Sequence, residues 1–379
     1  MDDTTQTSPA LLPVGLRDIL PPEAELEARL VTTLMDRFAA HGFERVKPPL
    51  LEFEDSLFSG SGAATLEQTF RLLDPESQRM MGLRADTTPQ IARIAATRLG
   101  HAPRPLRLSY AGQCLRVMGT QLEPERQIAQ AGIELIGVDC AEADAEIILT
   151  AIAGLRAVGL SGLSVDLTIP TLVPQLLSAL PPGPRHAAAR ALDRKDSAVV
   201  AELGAPIAAT LLALLTATGE AHRVLPALQA LALPEKAGAH IARLTETIAI
   251  LRAREPELAL TIDPVEFRGY QYHTGISMTV FAKGAQAELG RGGRYFTADN
   301  EPATGLTIYP DTILRLAPKP ALRQRLYLPH GSAPETAEAL RAQGFATING
   351  LAPVADNAAE AQRLHCTHFF QGGTAVALT

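Results

Sequence analysis

A chain of 379 residues with 46% hydrophobic side chains can bury a large core, and its length suggests two or three domains. A net charge of −7 lacks the strongly basic footprint of a nucleic-acid binder. The acidic, polar first ten residues carry neither the basic nor the apolar region of an export signal. The longest uncharged apolar run, residues 205–219, is too short to span a bilayer. The expectation is a cytoplasmic protein with no membrane partner and no nucleic acid. Cys114, Cys140 and Cys366 lie far apart with no C-x-x-C, which signals neither a disulfide framework nor a zinc site. They read as small buried hydrophobes.

In chain order, Leu26, Leu30, Leu34 and Phe38 recur every four residues after Pro21-Pro22-Glu23, and His41-Gly42 stops them, which predicts an amphipathic helix. Residues 43–46 read as a short strand ended by Pro48-Pro49. Thr88-Pro89 reads as an N-cap followed by an N1 proline, starting a helix with Ile91, Ile94 and Ala95 inward. Residues 106–116 and 126–136 read as two strands joined by a polar link, 119–125. On the second, a period of two puts Ala129, Ala131, Ile133 and Leu135 on one face and Arg126, Ile128, Gln130, Gly132 and Glu134 on the other. Gln130 and Glu134 are then about 13 Å apart along the strand, a span that a free amino acid could bridge. The pattern leaves a pocket floor and a plain solvated face both open.

From about Pro170 to Pro256 the composition turns to alanine and leucine, which predicts a helical insertion. Strands return at 260–262 and 276–282, with Lys283-Gly284 as a hairpin turn before a strand at 285–289. After residue 317, strands at 326–328 and 368–370 alternate with helices at 335–343 and 358–363, as in a small α/β module. The glycine-rich run 290–295 fits neither phosphate-binding fingerprint and reads as a tight turn. His365, Cys366 and His368 have no second cluster to complete a tetrahedral metal site, and no hydrolase triad or H-E-x-x-H is present. The sequence signals no cofactor and no metal.

Taken together, the motifs resemble the histidyl-tRNA synthetase family across about residues 13–316. Residues 13–21 (Pro-Val-Gly-Leu-Arg-Asp-Ile-Leu-Pro) resemble its opening. Residues 42–52 resemble class II motif 1, a dimer-interface element. Residues 70–74 through 83–88 are similar to the strand pair ending in Arg-Pro-Glu-Gly-Thr, which implies that Asp86 and Thr88 hold the amino group of histidine. Leu115-Arg116 resembles the start of motif 2, whose arginine meets the amino-acid carboxylate. Gln130-Ala-Gly-Ile-Glu134 resembles the family's histidine-binding strand. Residues 268–275, Arg-Gly-Tyr-Gln-Tyr-His-Thr-Gly, are similar to the histidine-specific Arg-Gly-Leu-Asp-Tyr-Tyr-Thr-Gly. That match keeps Arg268 and Tyr272 and puts His273 where a pocket tyrosine is usual. Residues 290–295 resemble the second signature, Gly-Gly-Gly-Arg-Tyr. Such a set suits histidine physically: a guanidinium pairs a carboxylate, a carboxylate meets an ammonium, and Glu134 accepts from an imidazole N–H.

The departures lie on the nucleotide side. Met118 stands where the synthetases carry an acidic residue for adenine, the loop 119–125 has no basic residue, and Thr312 replaces the motif 3 arginine, with Arg315 one turn later. The tail is also shorter than the family's anticodon-binding domain. A kept histidine half with a damaged nucleotide half resembles the regulatory subunits of short-form ATP phosphoribosyltransferase. That resemblance implies a non-catalytic partner of a small catalytic subunit, carrying allosteric histidine feedback, as a homodimer within a hetero-oligomer. The alternative is a working histidyl-tRNA synthetase. The expected fold is α+β: a class II synthetase-like antiparallel sheet flanked by helices (1–169 and 257–316), a helical insertion (170–256) and a small C-terminal α/β module (317–379).

Overall fold

Apolar residues at four-residue spacing close one face of α1 (Glu23–Ala40), which buries Leu26, Leu30, Leu34 and Phe38 and, beyond the expected stripe, Met35. This computed structural model describes residues 12–119, 124–204, 206–266, 273–319 and 321–378. The chain divides into two compact units, Met1–Pro318 and Lys319–Thr379.

In the first unit, α1 leads to β1 (Glu44–Arg45), β2 (Leu51–Phe53), α2 (Glu54–Leu57) and a 3-10 stretch, Gly60–Gln68. Then β3 (Arg71–Leu73) and β4 (Met80–Leu83) pair antiparallel, with β2 on the other side of β4. α3 (Thr88–Thr97) is entered one residue earlier than expected, because Thr87 takes the N-cap position. It buries Ile91, Ala92 and Ala95 and leaves Ile94 half-buried. β5 (Leu106–Leu115), β6 (Gln127–Ile136), α4 (Ala141–Ala157) and β7 (Leu163–Thr168) follow.

The alanine- and leucine-rich stretch folds as α5 (Leu172–Leu177), α6 (Pro182–Asp193), α7 (Ser197–Ala201), α8 (Ile207–Thr216), a two-residue β8 (Gly219–Glu220), α9 (Ala221–Gln229) and α10 (Glu235–Arg254). The chain then returns through β9 (Ala259–Asp263), β10 (Ser277–Ala282), β11 (Gly290–Phe296), β12 (Pro302–Ile308) and α11 (Pro310–Leu316).

Nine strands form the main sheet in the order β1-β5-β6-β12-β11-β10-β7-β9-β8. Every pairing from β5 to β7 is antiparallel, whereas β1 on β5 and β9 on β7 run parallel. This is the α+β architecture that the sequence suggests, with parallel pairs outside the antiparallel centre. Two expectations fail together. Residues 285–289 form no strand, and the glycine-rich run 290–295 is not a turn but most of β11. The turn at Lys283 and Gly284 does form, with Gly284 at φ +86°. Glycine's poor strand propensity is overridden because β11 lies between two partners, with the Thr307 and Gly305 carbonyls over Gly290 and Gly292 and the His273 ring over Gly293 leaving no room for a Cβ.

The two sheet faces are filled differently. One packs Ala131, Ile133 and Leu135 of β6 against α1 and α4, with Leu34, Phe38, Ile148 and Leu155. The helices of 170–256 add Leu172, Leu192, Leu211 and Leu244 to that same core, so among the described residues the stretch has no separate one. The other face packs Leu108, Tyr110, Ile136 and Tyr295 against Ile91 and Ala95 of α3.

The second unit contains β13 (Arg325–Leu328), α12 (Pro334–Ala342), β14 (Ala346–Asn349), α13 (Asn357–Arg363), β15 (His368–Gln371) and β16 (Thr374–Ala377). Its four-stranded sheet alternates faces: Leu326 and Leu328 pack on α12, whereas Tyr327 packs with Ala361 of α13 and Cys366. Among the described residues no His, Cys, Asp or Glu group could hold a metal, and no helix is long and apolar enough to cross a membrane.

Because α10 shares the main core, Leu244→Ala should cost about 2–5 kcal/mol. Calorimetry should show the main transition itself moving down, and a separate low-temperature transition would mean that 170–256 folds on its own.

Candidate amino-acid site on the central sheet

The strand register lays the site out in rows on the face covered by α3. Glu134 on β6 lies opposite Gly305 on β12, which lies opposite Gly293 on β11. In the next row Tyr110 on β5 faces Gly132, then Thr307, then Arg291. The glycines create the hollow. A Cβ on Gly305 would sit 1.8 Å from Glu134 Oε2, and one on Gly132 would sit 2.4 Å from the Tyr110 hydroxyl. Each large polar side chain therefore lies across the glycine paired with it, where any other residue would collide.

Hydrogen bonds fix these side chains. Thr88 Oγ1 donates to Glu134 Oε1 and the Tyr295 hydroxyl to Oε2, each at 3.0 Å. Tyr110 OH lies 2.7 Å from Thr307 Oγ1 and 3.3 Å from Thr88 Oγ1. Four residues before Glu134, Gln130 Nε2 donates to Asp86 Oδ1 at 3.1 Å, and its Oε1 accepts from the Thr87 N–H and the Cys114 thiol, both at 3.1 Å.

Burial dominates the electrostatics. It pushes the Glu134 carboxyl up to about 8 against the opposing hydrogen bonds from Thr88 and Tyr295. Burial also raises Asp86, with Arg116 the main opposing influence. His273 is pushed down to about 3, first by burial and then by the charge of Arg291, so its ring is neutral. The hollow is nearly closed. The cavity lined by Thr88, Glu134, His273, Arg291, Tyr295 and Thr307 is about 10 Å³, space for about one water.

Asp86, Thr88, Gln130 and Glu134 are thus brought together, Arg116 acts on Asp86, and His273 borders the Glu134 cavity. Arg268 and Tyr272 lie outside the described residues. The solvated-face reading of β6 is overturned, because Gln130 and Glu134 are each 1% exposed under α3. Sequence reasoning missed Tyr110, Arg291, Tyr295 and Thr307 as site residues. Taking 290–295 as a strand would have found two of them, since a period of two puts Arg291, Gly293 and Tyr295 on one face.

Away from the hollow, Met118 is 75% exposed and Thr312 is buried on α11. Arg315 forms an ion pair with Glu125 at 3.2 Å. Loop residues 120–123 lie outside the described residues.

A family profile described as histidyl-tRNA synthetase matches residues 15–313. An ATP phosphoribosyltransferase regulatory subunit from Rhodospirillum centenum is 54% identical over 375 residues, covering 98% of this chain and 97% of its own. One from Paramagnetospirillum magneticum is 54% identical over 367 residues, covering 96% and 97%. The chain belongs to the ATP phosphoribosyltransferase regulatory subunit family. Among solved structures, a protein from Bacillus halodurans described as an ATP phosphoribosyltransferase regulatory subunit/histidyl-tRNA synthetase superposes with a TM-score of 0.81 at 25% identity, covering 96% and 97% of the two chains. A histidyl-tRNA synthetase from Nostoc shares the fold with a TM-score of 0.76 at 17% identity, covering 95% and 90%. The family accounts for a synthetase-like fold in a chain whose curated relatives are named for regulation.

The Glu134 carboxyl makes a pH test possible. A carboxyl raised from 4.5 to about 8 binds a proton more tightly in the folded state, so its contribution to stability is complete at low pH and is lost as pH rises through that window. Glu134→Gln removes this titration. The melting temperature of the variant minus that of the wild type should grow from about pH 5 to about pH 8 and then level off. A constant difference would mean that Glu134 is ionised in the fold.

Proposed function

We propose that this chain is the non-catalytic regulatory subunit of ATP phosphoribosyltransferase in histidine biosynthesis, that free histidine binds at the Glu134 hollow, and that the chain carries out no adenylation. The observation that supports this best is the asymmetry between the two halves of the synthetase-like site. The polar set that suits an amino acid is buried and mutually hydrogen-bonded, Asp86 with Gln130 and Glu134 with Thr88 and Tyr295. Where the resemblance expects groups for ATP, Met118 offers only a weakly accepting thioether, Thr312 is a short buried hydroxyl, and the charge of Arg315 is already met by Glu125.

In this reading Asp86 and Thr88 take the histidine ammonium, and Arg116 and Arg268 take the carboxylate. Glu134 meets the imidazole N–H, Gln130 holds Asp86 in place, Tyr272 flanks the ring, and His273 borders the pocket. The partner is a short-form catalytic subunit in the cytoplasm, with this chain as a homodimer inside the hetero-oligomer. Regulation is then a coupling free energy, typically 1–3 kcal/mol, between histidine here and activity in the partner.

Two measurements test the reading. Histidine at about one hundred times its dissociation constant should stabilise the chain by about 2.7 kcal/mol. Glu134→Ala should abolish that shift, whatever the change in the unliganded melting temperature. A lowered unliganded melting temperature with an intact shift would make Glu134 scaffold. Size-exclusion chromatography with the short catalytic subunit should give a complex whose activity is higher and histidine-sensitive, and absence of a complex at micromolar concentration would remove the regulatory reading.

A further inference from the structure

A second cavity, of about 940 Å³, lies where the start of α10 and the α5 region approach the sheet, lined among others by Thr171, Pro174, Gln175, Pro234 and Lys236. This is the usual size for a small-molecule site. The Glu134 hollow is far too small to admit an amino acid as it stands. Among the described residues, His273 is the one that lines both.

Its position is specific. Its ring carbons Cδ2 and Cε1 both lie 3.0 Å from where a Cβ on Gly293 would be, so the imidazole rests on bare backbone in the row that contains Glu134 and Gly305. The ring is buried and neutral. The backbone just after it is anchored: the Thr274 N–H donates to the Arg294 carbonyl at 2.8 Å and the Arg294 N–H to the Ile276 carbonyl at 2.9 Å. Thr274 Oγ1 is buried there with no hydrogen-bond partner among the described residues, a group that an arriving polar ligand would satisfy.

We infer that His273 is the specificity-determining barrier of the site: its own imidazole closes the Glu134 hollow, and a free amino acid bearing an imidazole reaches Glu134 from the larger cavity by displacing it. The anchored backbone makes this a side-chain rotation over Gly293, with no strand movement required. The ligand replaces an imidazole by an imidazole, so the chemistry of the occupied hollow changes little, whereas an amino acid with an aliphatic or acidic side chain returns nothing for the displaced ring. The inference rests on the histidine reading proposed above.

Titration calorimetry on the full chain tests it, with L-histidine and with imidazole alone as probes. If the closed ring holds the site about 90% occluded, its removal raises apparent affinity about tenfold. His273→Ala and His273→Asn should therefore both bind histidine about tenfold more tightly than wild type, and imidazole alone should bind both variants and raise their melting temperatures. Two small replacements guard against one that folds poorly. Unchanged or weaker histidine binding in both variants, with wild-type binding intact, overturns the barrier while leaving the histidine reading in place. Absence of histidine binding in wild type and variants alike overturns both.

Discussion

The site depends on one steric constraint: a glutamate lies across a β-sheet because the residue paired with it has no side chain. Glu134 occupies the volume where a Cβ on Gly305 would be, and Tyr110 does the same over Gly132. From that placement the rest follows. The carboxyl is taken out of water, so Thr88 and Tyr295 must satisfy its oxygens, and burial still favours its neutral form. α3 must begin where it does, because its first residue is the hydroxyl donor and the segment just before it supplies Asp86 and the Thr87 N–H to Gln130.

The opposite face of β11 ties this hollow to the helical part of the fold. Arg294, between Gly293 and Tyr295, pairs with Asp144 at 2.7 Å and Asp139 at 2.8 Å, while Arg243 of α10 pairs with the same Asp139 at 3.0 Å. Thr304 of β12 also donates to Asp144. A strand that lines the hollow and a helix that borders the larger cavity thus share the half-exposed Asp139, beside the buried Arg294–Asp144 pair. Breaking one partner of such a buried pair leaves an uncompensated charge. The arrangement gives β11 and α10 a common mechanical reference.

Much of this was legible in the sequence. The four-residue apolar spacing gave α1, and strict alternation gave β6 with its polar face of Gln130 and Glu134. The strand pair before Asp86 and the alternation of strand and helix after residue 317 were also readable. The glycine-rich run was not, because local propensity argues for a turn while the reason for the glycines lies elsewhere in the chain, in the carbonyls of Gly305 and Thr307 on β12 and the ring of His273 over Gly293. The same gap hid Tyr110 and Thr307. Their roles come from cross-strand register, which no periodicity within one segment encodes. Burial of the polar face of β6 was undecidable for a similar reason, since α3 covers it from a distant part of the chain.

What separates a regulatory chain from a synthetase on this fold is whether binding the amino acid leads to its activation. The most direct measurement follows both on one preparation: calorimetric titration of histidine, and histidine-dependent ATP–pyrophosphate exchange in the presence of magnesium. Saturable histidine binding with exchange at background is the result that the proposed regulatory role predicts, with Thr312 buried and Arg315 ion-paired to Glu125 where a synthetase needs groups oriented on ATP. Exchange above background that requires histidine would contradict it and make the chain a synthetase.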